Sequence, residues 1–293
     1  MNVSKILYIL YPSLILLILV TVIISTALSQ VVTNNSNVSS SIVVTNKVNE
    51  SKIITVIDAV GDMECSNNLH DQLKKDNPTL FIALGDLCYK KDLTNFTNTF
   101  SDFKKANKLA CVIGNHESEE DGDSKILKET RQYCGDHWYR KIANDTTLLI
   151  GLNTNGDTKL QAKWGQSLVT NSTLMKGIKN VMLIGHKPAH TPPDSHHPAK
   201  NSNIVMFSAI GSNISKSVQV YEIVAHNHFM AKSSDSHWFV SGAGGRSHYN
   251  ASTNSAWPFL NNKDYGYLQI KINNTDGKVL SSHFYGLNGT LIH

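Results

Sequence analysis

Leu80-Phe81-Ile82-Ala83-Leu84-Gly85-Asp86-Leu87-Cys88-Tyr89 is an apolar run that stops at a glycine and a carboxylate, with a tyrosine three residues on. No polar residue alternates through it, which suits a strand covered on both faces, as in a mostly parallel sheet flanked by other layers. The polar residues then stand at the carboxyl end of the strand. In open α/β sheets the loops leaving neighbouring strands converge at that end, and ligands bind there.

The same grammar recurs. Ile53-Ile-Thr-Val-Ile-Asp-Ala-Val60 runs into Gly61-Asp62-Met63-Glu64, and Leu109-Ala-Cys-Val-Ile113 into Gly114-Asn115-His116-Glu117. Val181-Met-Leu-Ile184 runs into Gly185-His186-Lys187-Pro188, and Val220-Tyr-Glu-Ile-Val224 into Ala225-His226-Asn227-His228. Each strand offers one or two hard or borderline ligands. Carboxylate, amide oxygen and imidazole suit Zn, Fe or Mn better than a thiolate-seeking ion.

In this order the five segments resemble the calcineurin-like metallophosphoesterases, most closely their purple acid phosphatase branch, over residues 53–293. The family pattern is Asp-x-His or Asp-x-Gly, Gly-Asp-x-x-Asp/Tyr, Gly-Asn-His-Asp/Glu, a later His and a closing Gly-His-x-His. Asp86-Leu-Cys-Tyr89 takes the tyrosine form, and Phe239-Val-Ser-Gly-Ala-Gly-Gly245 resembles the strand end that follows the last histidine pair in that branch. The resemblance implies an αββα two-sheet sandwich. It further implies one metal on Asp62, Asp86, Tyr89 and His228 and another on Asp86, Asn115, His186 and His226, Fe with Zn or Mn. It makes His116 the catalytic imidazole, oriented by Glu117, and implies that a hydroxide held between the ions attacks phosphorus in a monoester. Alternatives are a phosphodiesterase acting on nucleotides or lipids, and a catalytically impaired surface-binding protein on the same scaffold. Two positions depart from the pattern. Glu64 replaces His or Gly and either ligates or lines the pocket; Ala225 replaces Gly, which is tolerated unless the turn requires a positive φ.

Residues 6–28 form a charge-free apolar stretch behind Lys5. About 20 apolar residues span a bilayer, whereas the apolar core of a cleaved signal is about 7 to 15 long. The expectation is a single-pass anchor with residues 1–5 cytoplasmic and the catalytic domain outside the cell, or, through the small-x-small Ala27-Leu-Ser29, a cleaved signal and a secreted protein. Residues 29–52 read as a polar tether. Sequons at Asn34, Asn37, Asn49, Asn95, Asn144, Asn171, Asn213, Asn250, Asn273 and Asn288 fit a glycosylated exterior domain. The four cysteines allow two disulfides there, with Cys65–Cys88 as a candidate pair and Cys111 either bridged or a buried thiol. A net charge of +4 without a basic run argues against nucleic acid as a partner and leaves a small phosphate ester and the membrane.

Periodicity predicts a helix from Asn67 to about Asn77-Pro78, and an amphipathic helix over Leu93–Lys105 carrying Leu93, Phe96, Phe100 and Phe103. A surface loop with a short helix is expected over Glu119–Thr130, a strand over Thr147–Asn153 and a helix over Lys159–Leu168. Ala189–Asn203, with three prolines and His190, His196 and His197, reads as a loop over the site, with His190 a candidate substrate contact. Tyr265–Ile272 and Lys278–Tyr285 alternate as an antiparallel pair expected to complete the second sheet.

Overall fold

The structure is a computed structural model and describes residues 53–90, 92–118 and 124–293. The expected cytoplasmic segment 1–5, membrane segment 6–28, the tether up to residue 52 and the sequons at Asn34, Asn37 and Asn49 lie outside the described residues. Among the described residues no helix is long and apolar enough to cross a membrane.

Two sheets carry the architecture. The first has the order β12-β11-β1-β2-β3, built from β1 (Ile54–Val60), β2 (Leu80–Ala83), β3 (Leu109–Cys111), β11 (Gly266–Asn273) and β12 (Val279–Gly286). The second has the order β10-β8-β9-β7-β6-β5-β4, from β4 (Trp138–Ile142), β5 (Thr147–Gly151), β6 (Asn180–Ile184), β7 (Gln219–Val224), β8 (Met230–Lys232), β9 (Trp238–Ser241) and β10 (Phe259–Asn261). β1, β2 and β3 run parallel, as do β5, β6, β7 and β9.

The apolar runs without alternation are strands buried on both faces, each face serving a different layer. Leu80 and Ile82 of β2 and Met182 and Ile184 of β6 meet in one core between the sheets. Phe81 and Ala83 point the other way into a core closed by Leu69 and Leu73 of α1 (Asn67–Asp76), Phe96 of α2 (Thr94–Thr99) and Phe103 of α3 (Ser101–Lys105). Val181 and Leu183 face Val169 of α5 (Thr158–Val169) and Met206, Phe207 and Ile210 of α7 (Asn201–Gly211), with the short α6 (Ser172–Met175) between the two in the chain. The layers are thus helix, sheet, sheet, helix.

Several expectations need correction. The helix anticipated over Leu93–Lys105 is two short helices broken at Phe100, where φ is −105°. Apart from Phe96 its first half is Thr and Asn, weak helix formers, and Asp102 accepts the Phe103 amide on its own side chain in competition with the helix. The segment after Glu119 contains a longer helix than expected, α4 (Ser124–Cys134), seated on Ile126, Leu127 and Thr130 and bridged by Cys134 to Cys111, so Cys111 is no free thiol. The proline loop ends at Lys200, and α7, which the periodicity did not reveal, follows. The C-terminal pair belongs to the first sheet: β11 lies antiparallel beside β1, with Ile57 opposite Ile270 and the Gln269 side chain donating to Asp58.

Candidate metal centre

The parallel strands of both sheets end on the same region, and β1, β2, β3, β6 and β7 end in turns that deliver polar side chains. Asp62 follows β1, Asp86 and Tyr89 follow β2, Asn115 and His116 follow β3, His186 follows β6, and His226 and His228 follow β7. Met63 forms isolated bridges with Leu87 and with Gly245, so the turns after β1, β2 and β9 are stitched together. Asp62, Asp86, Tyr89 and His226 all hold left-handed backbone, with φ of 56°, 52°, 49° and 68°. Such conformations cost about 1–3 kcal/mol each and persist where surrounding structure over-determines them, commonly at functional sites. Ala225 is free of this demand because the left-handed position falls on His226.

The side chains meet in one pit. Tyr89 Oη donates to Asp62 Oδ1 at 3.0 Å and lies 3.1 Å from His228 Nε2, which is 3.5 Å from Asp62 Oδ1. His186 Nε2 is 2.9 Å from Asn115 Oδ1 and 3.4 Å from Asp86 Oδ1. The ligand atoms of Asp62, Asp86 and His186 lie within 4.8 Å of one another. The His226 amide donates to Asp62 Oδ2 at 2.8 Å, and its ring centroid is 4.9 Å from that of His186. Asp62, Asp86, Asn115, His186, His226 and His228 are all buried. His116 is at the rim, its side chain 44% exposed, with its amide on Asp86 Oδ1 at 3.1 Å and Nε2 3.9 Å from Asp86 Oδ2.

Residues of these types, so placed, fit metal ions. His186 Nδ1 is bonded to the Leu84 carbonyl and His228 Nδ1 to the Ser247 carbonyl, both at 2.8 Å, which turns each Nε2 into the pit. Burial lowers both imidazoles, but Asp86 beside His186 and Asp62 beside His228 more than offset it, so a metal ion there would take the place of an Nε2 proton. Burial and His186 push the His226 imidazole far down, so it stays neutral, as a ligand must. Burial alone would raise Asp86, but the His186 and His116 imidazoles more than offset it and hold the carboxyl below its usual range. Burial and Asp62 push the Tyr89 phenol upward. Gly114 leaves the room the site needs, since a Cβ there would stand 2.8 Å from Glu117 Oε2 and closer still to Asp86.

The family model for calcineurin-like phosphoesterases matches residues 56–230. The chain belongs to the calcineurin-like phosphoesterase family. Among solved structures, GAP50, the anchor in the inner membrane complex of Plasmodium, superposes with a TM-score of 0.54 at 15% identity, over 80% of this chain and 89% of that one. A dimetal phosphatase from Danio rerio gives 0.48 at 11% identity, over 78% of this chain and 99% of that one. At 15% identity the likeness to GAP50 is one of fold alone. No curated protein matches the chain. Membership of this family implies divalent metal ions, and the donors above are where they fit.

Several residues around this phosphoesterase pit escaped the motif reading or took other roles. Glu117 does not orient His116: its carboxylate accepts the amides of Asp86, Leu87 and Gly114 at 2.9, 2.6 and 2.9 Å and is buried, locking the β2 and β3 turns together. Burial and Asp86 push its pKa up against the pull of those donors. His197 stacks on His226 at 4.1 Å and is held by Asn227 through both its amide and its carbonyl. Tyr249 stacks on His228 at 4.0 Å. Arg246 pairs with Glu64, so Glu64 meets a guanidinium at the rim rather than the pit. His190, anticipated as a substrate contact, is engaged elsewhere, with Nδ1 2.6 Å from Glu222 and its ring on Trp238 at 4.0 Å. No spacing rule reaches His197, Tyr249 or Arg246, because they lie in irregular loops; only the Ser-Gly-Ala-Gly-Gly strand end marked the neighbourhood of Arg246.

Proposed function

We propose that this protein hydrolyses phosphate monoesters outside the cell, with two metal ions, Fe with Zn or Mn, held in the pit. Asp62, Asp86, Tyr89 and His228 would hold one, and Asp86, Asn115, His186 and His226 the other. The observation that carries the reading is the convergence of these side chains, from strands of two sheets, with the Nε2 atoms of His186 and His228 turned inward by carbonyls behind them. Ions in such a pit acidify water and draw charge from the phosphoryl group. The remaining work falls to the chain. Asp86 is set by Glu117 through its own amide, and by the His116 amide on its Oδ1. His197 and Tyr249 cover the outer faces of His226 and His228 and keep bulk water off them. A water oxygen bonds to phosphorus and releases a proton to solvent as the ester P–O bond breaks, and His116, half-exposed at the mouth, hands a proton from its ring to the leaving alcohol oxygen. The two disulfides support an oxidising, exterior setting, whether residues 6–28 remain as an anchor or are cleaved.

Elemental analysis beside turnover of p-nitrophenyl phosphate and bis(p-nitrophenyl) phosphate across pH tests the proposal. Two ions per chain with monoester turnover is the expected result. Preference for the diester makes the protein a phosphodiesterase. One ion or none, without turnover of either ester, makes it a binding scaffold, and the fold it shares with a protein described as an anchor then becomes the better guide.

A further inference from the structure

Glu64 and Arg246 form an assembly at the mouth of the pit that the ligand set does not require. Arg246 Nη1 donates to Glu64 Oε1 at 2.7 Å, and the guanidinium carbon lies 4.3 Å over the centroid of the Tyr89 ring. The Arg246 amide donates to the Asp62 carbonyl at 3.3 Å, which fixes the residue to the turn that carries Asp62. Gly245, with φ of 146°, lets the chain cross that turn: a Cβ on it would stand 2.9 Å from Glu64 Cβ. The Tyr89 hydroxyl reaches Asp62 and His228, so the guanidinium sits one phenol ring from the heart of the pit. His116 rests against the same ring at 4.6 Å.

The guanidinium is held in place yet incompletely used. Glu64 takes Nη1, while Nε is buried without a hydrogen-bond partner. Nε–H and the Nη2 group beside it form the lateral fork of an arginine, the edge that grips two oxygens of one anion. Glu64 and Arg246 are 37% and 43% exposed, and an ion pair that open adds little to stability, so the pair needs another reason to be there. The neighbouring charge supplies one. Metal ions held on Asp62 and Asp86 would draw a phosphate dianion into the pit, and a guanidinium at its mouth would take the oxygens that the ions leave free.

We propose that Arg246, braced by Glu64 and seated on Tyr89, is a substrate-contacting residue that grips the non-ester oxygens of a phosphate monoester and favours the dianion over monoanionic diesters. This deepens, and rests on, the phosphoesterase reading of the pit. Glu64 is the positioning residue, and its third place in Asp62-Met63-Glu64 is a brace for Arg246.

The test measures binding of inorganic phosphate by calorimetry to metal-loaded wild type, Arg246→Ala, Arg246→Lys and Glu64→Gln, with metal content and melting temperature followed in each. Charge-assisted contacts of this kind predict phosphate binding weakened about 10- to 100-fold in Arg246→Ala with metal content unchanged. Arg246→Lys should recover part of the loss, since it keeps the charge but not the fork, and Glu64→Gln should fall between. The monoester-to-diester ratio of kcat/KM should drop in Arg246→Ala. Wild-type phosphate affinity in a folded, metal-loaded Arg246→Ala or Arg246→Lys protein would overturn the assignment, as would failure of metal-loaded wild type to bind phosphate. If wild type binds ions and phosphate but turns over neither ester, the hydrolase reading fails, and Arg246 is judged on phosphate affinity alone.

Discussion

Glu117 shows how much a side chain can matter without touching a substrate. Its two oxygens accept three buried amides from two turns, so Glu117→Ala would leave those donors unpaired. At about 1–3 kcal/mol per stranded group, a loss of about 3 kcal/mol or more is expected in denaturant titrations, with metal retention falling as the Asp86 turn loosens. His116 should behave oppositely. His116→Ala is expected to keep both ions by elemental analysis while turnover drops about 10²- to 10⁴-fold, the usual reach of a general acid. Loss of ions in that variant would move His116 from proton donor to structural element. The motif residues were legible because each sits at a fixed offset from the end of an apolar run. Glu117 was legible as a member of its motif, but its work was not, since its partners are backbone amides that no sequence pattern marks.

At the level of elements, the two disulfides make a controlled comparison. Both Cys65–Cys88 and Cys111–Cys134 span 23 residues, so loop entropy assigns each about 3 kcal/mol of stability. Their positions differ. Cys65 and Cys88 stand three and two residues beyond Asp62 and Asp86, both in left-handed backbone, and tie the ligand turns after β1 and β2. Cys111–Cys134 ties β3 to α4 on the outer side. Serine replacement of either pair is expected to lower the melting temperature similarly, while only the Cys65/Cys88 double replacement should also lower metal affinity in a chelator competition. Equal loss of affinity in both would mean that general loosening, not the turns, controls the site. Element type was readable wherever burial leaves a period. α1, with Leu69 and Leu73 four apart and a stop at Asn77-Pro78, stands where expected. α7 is apolar on most sides and shows no stripe, and the break at Phe100 leaves no mark in the spacing of Leu93, Phe96, Phe100 and Phe103.

For the whole molecule, the joining of β11 to β1 places a carboxyl where water does not reach. Asp58 on β1 is opposite Gln269 on β11, and its Oδ1 accepts from Gln269 Nε2 at 3.0 Å while Oδ2 is buried without a partner. Asp76, at the end of α1, approaches from the helix layer and is itself bonded to Tyr267 and Gln72. The C-terminal strands were legible as a pair from their alternation, but which sheet edge they join is a long-range choice that neither strand states alone. Its consequence is electrostatic. Burial, opposed by the Gln269 hydrogen bond and reinforced by Asp76, raises Asp58 from 3.8 to about 7. In the unfolded chain the group loses its proton near its ordinary value, so between about pH 4 and 7 the native state holds a proton that the unfolded state has released. Stability from this group is therefore complete below about pH 4, falls as pH rises through that window and levels off above it. A tenfold difference in proton affinity between the folded and unfolded states corresponds to about 1.4 kcal/mol, which makes the slope measurable in a domain of marginal stability. Asp58→Asn keeps the shape and the bond to Gln269 but cannot ionise. Its melting temperature should match wild type near pH 4 and exceed it at pH 8, the gap opening across the window. A constant gap, or one that closes toward high pH, would show that Asp58 is ionised in the folded protein throughout.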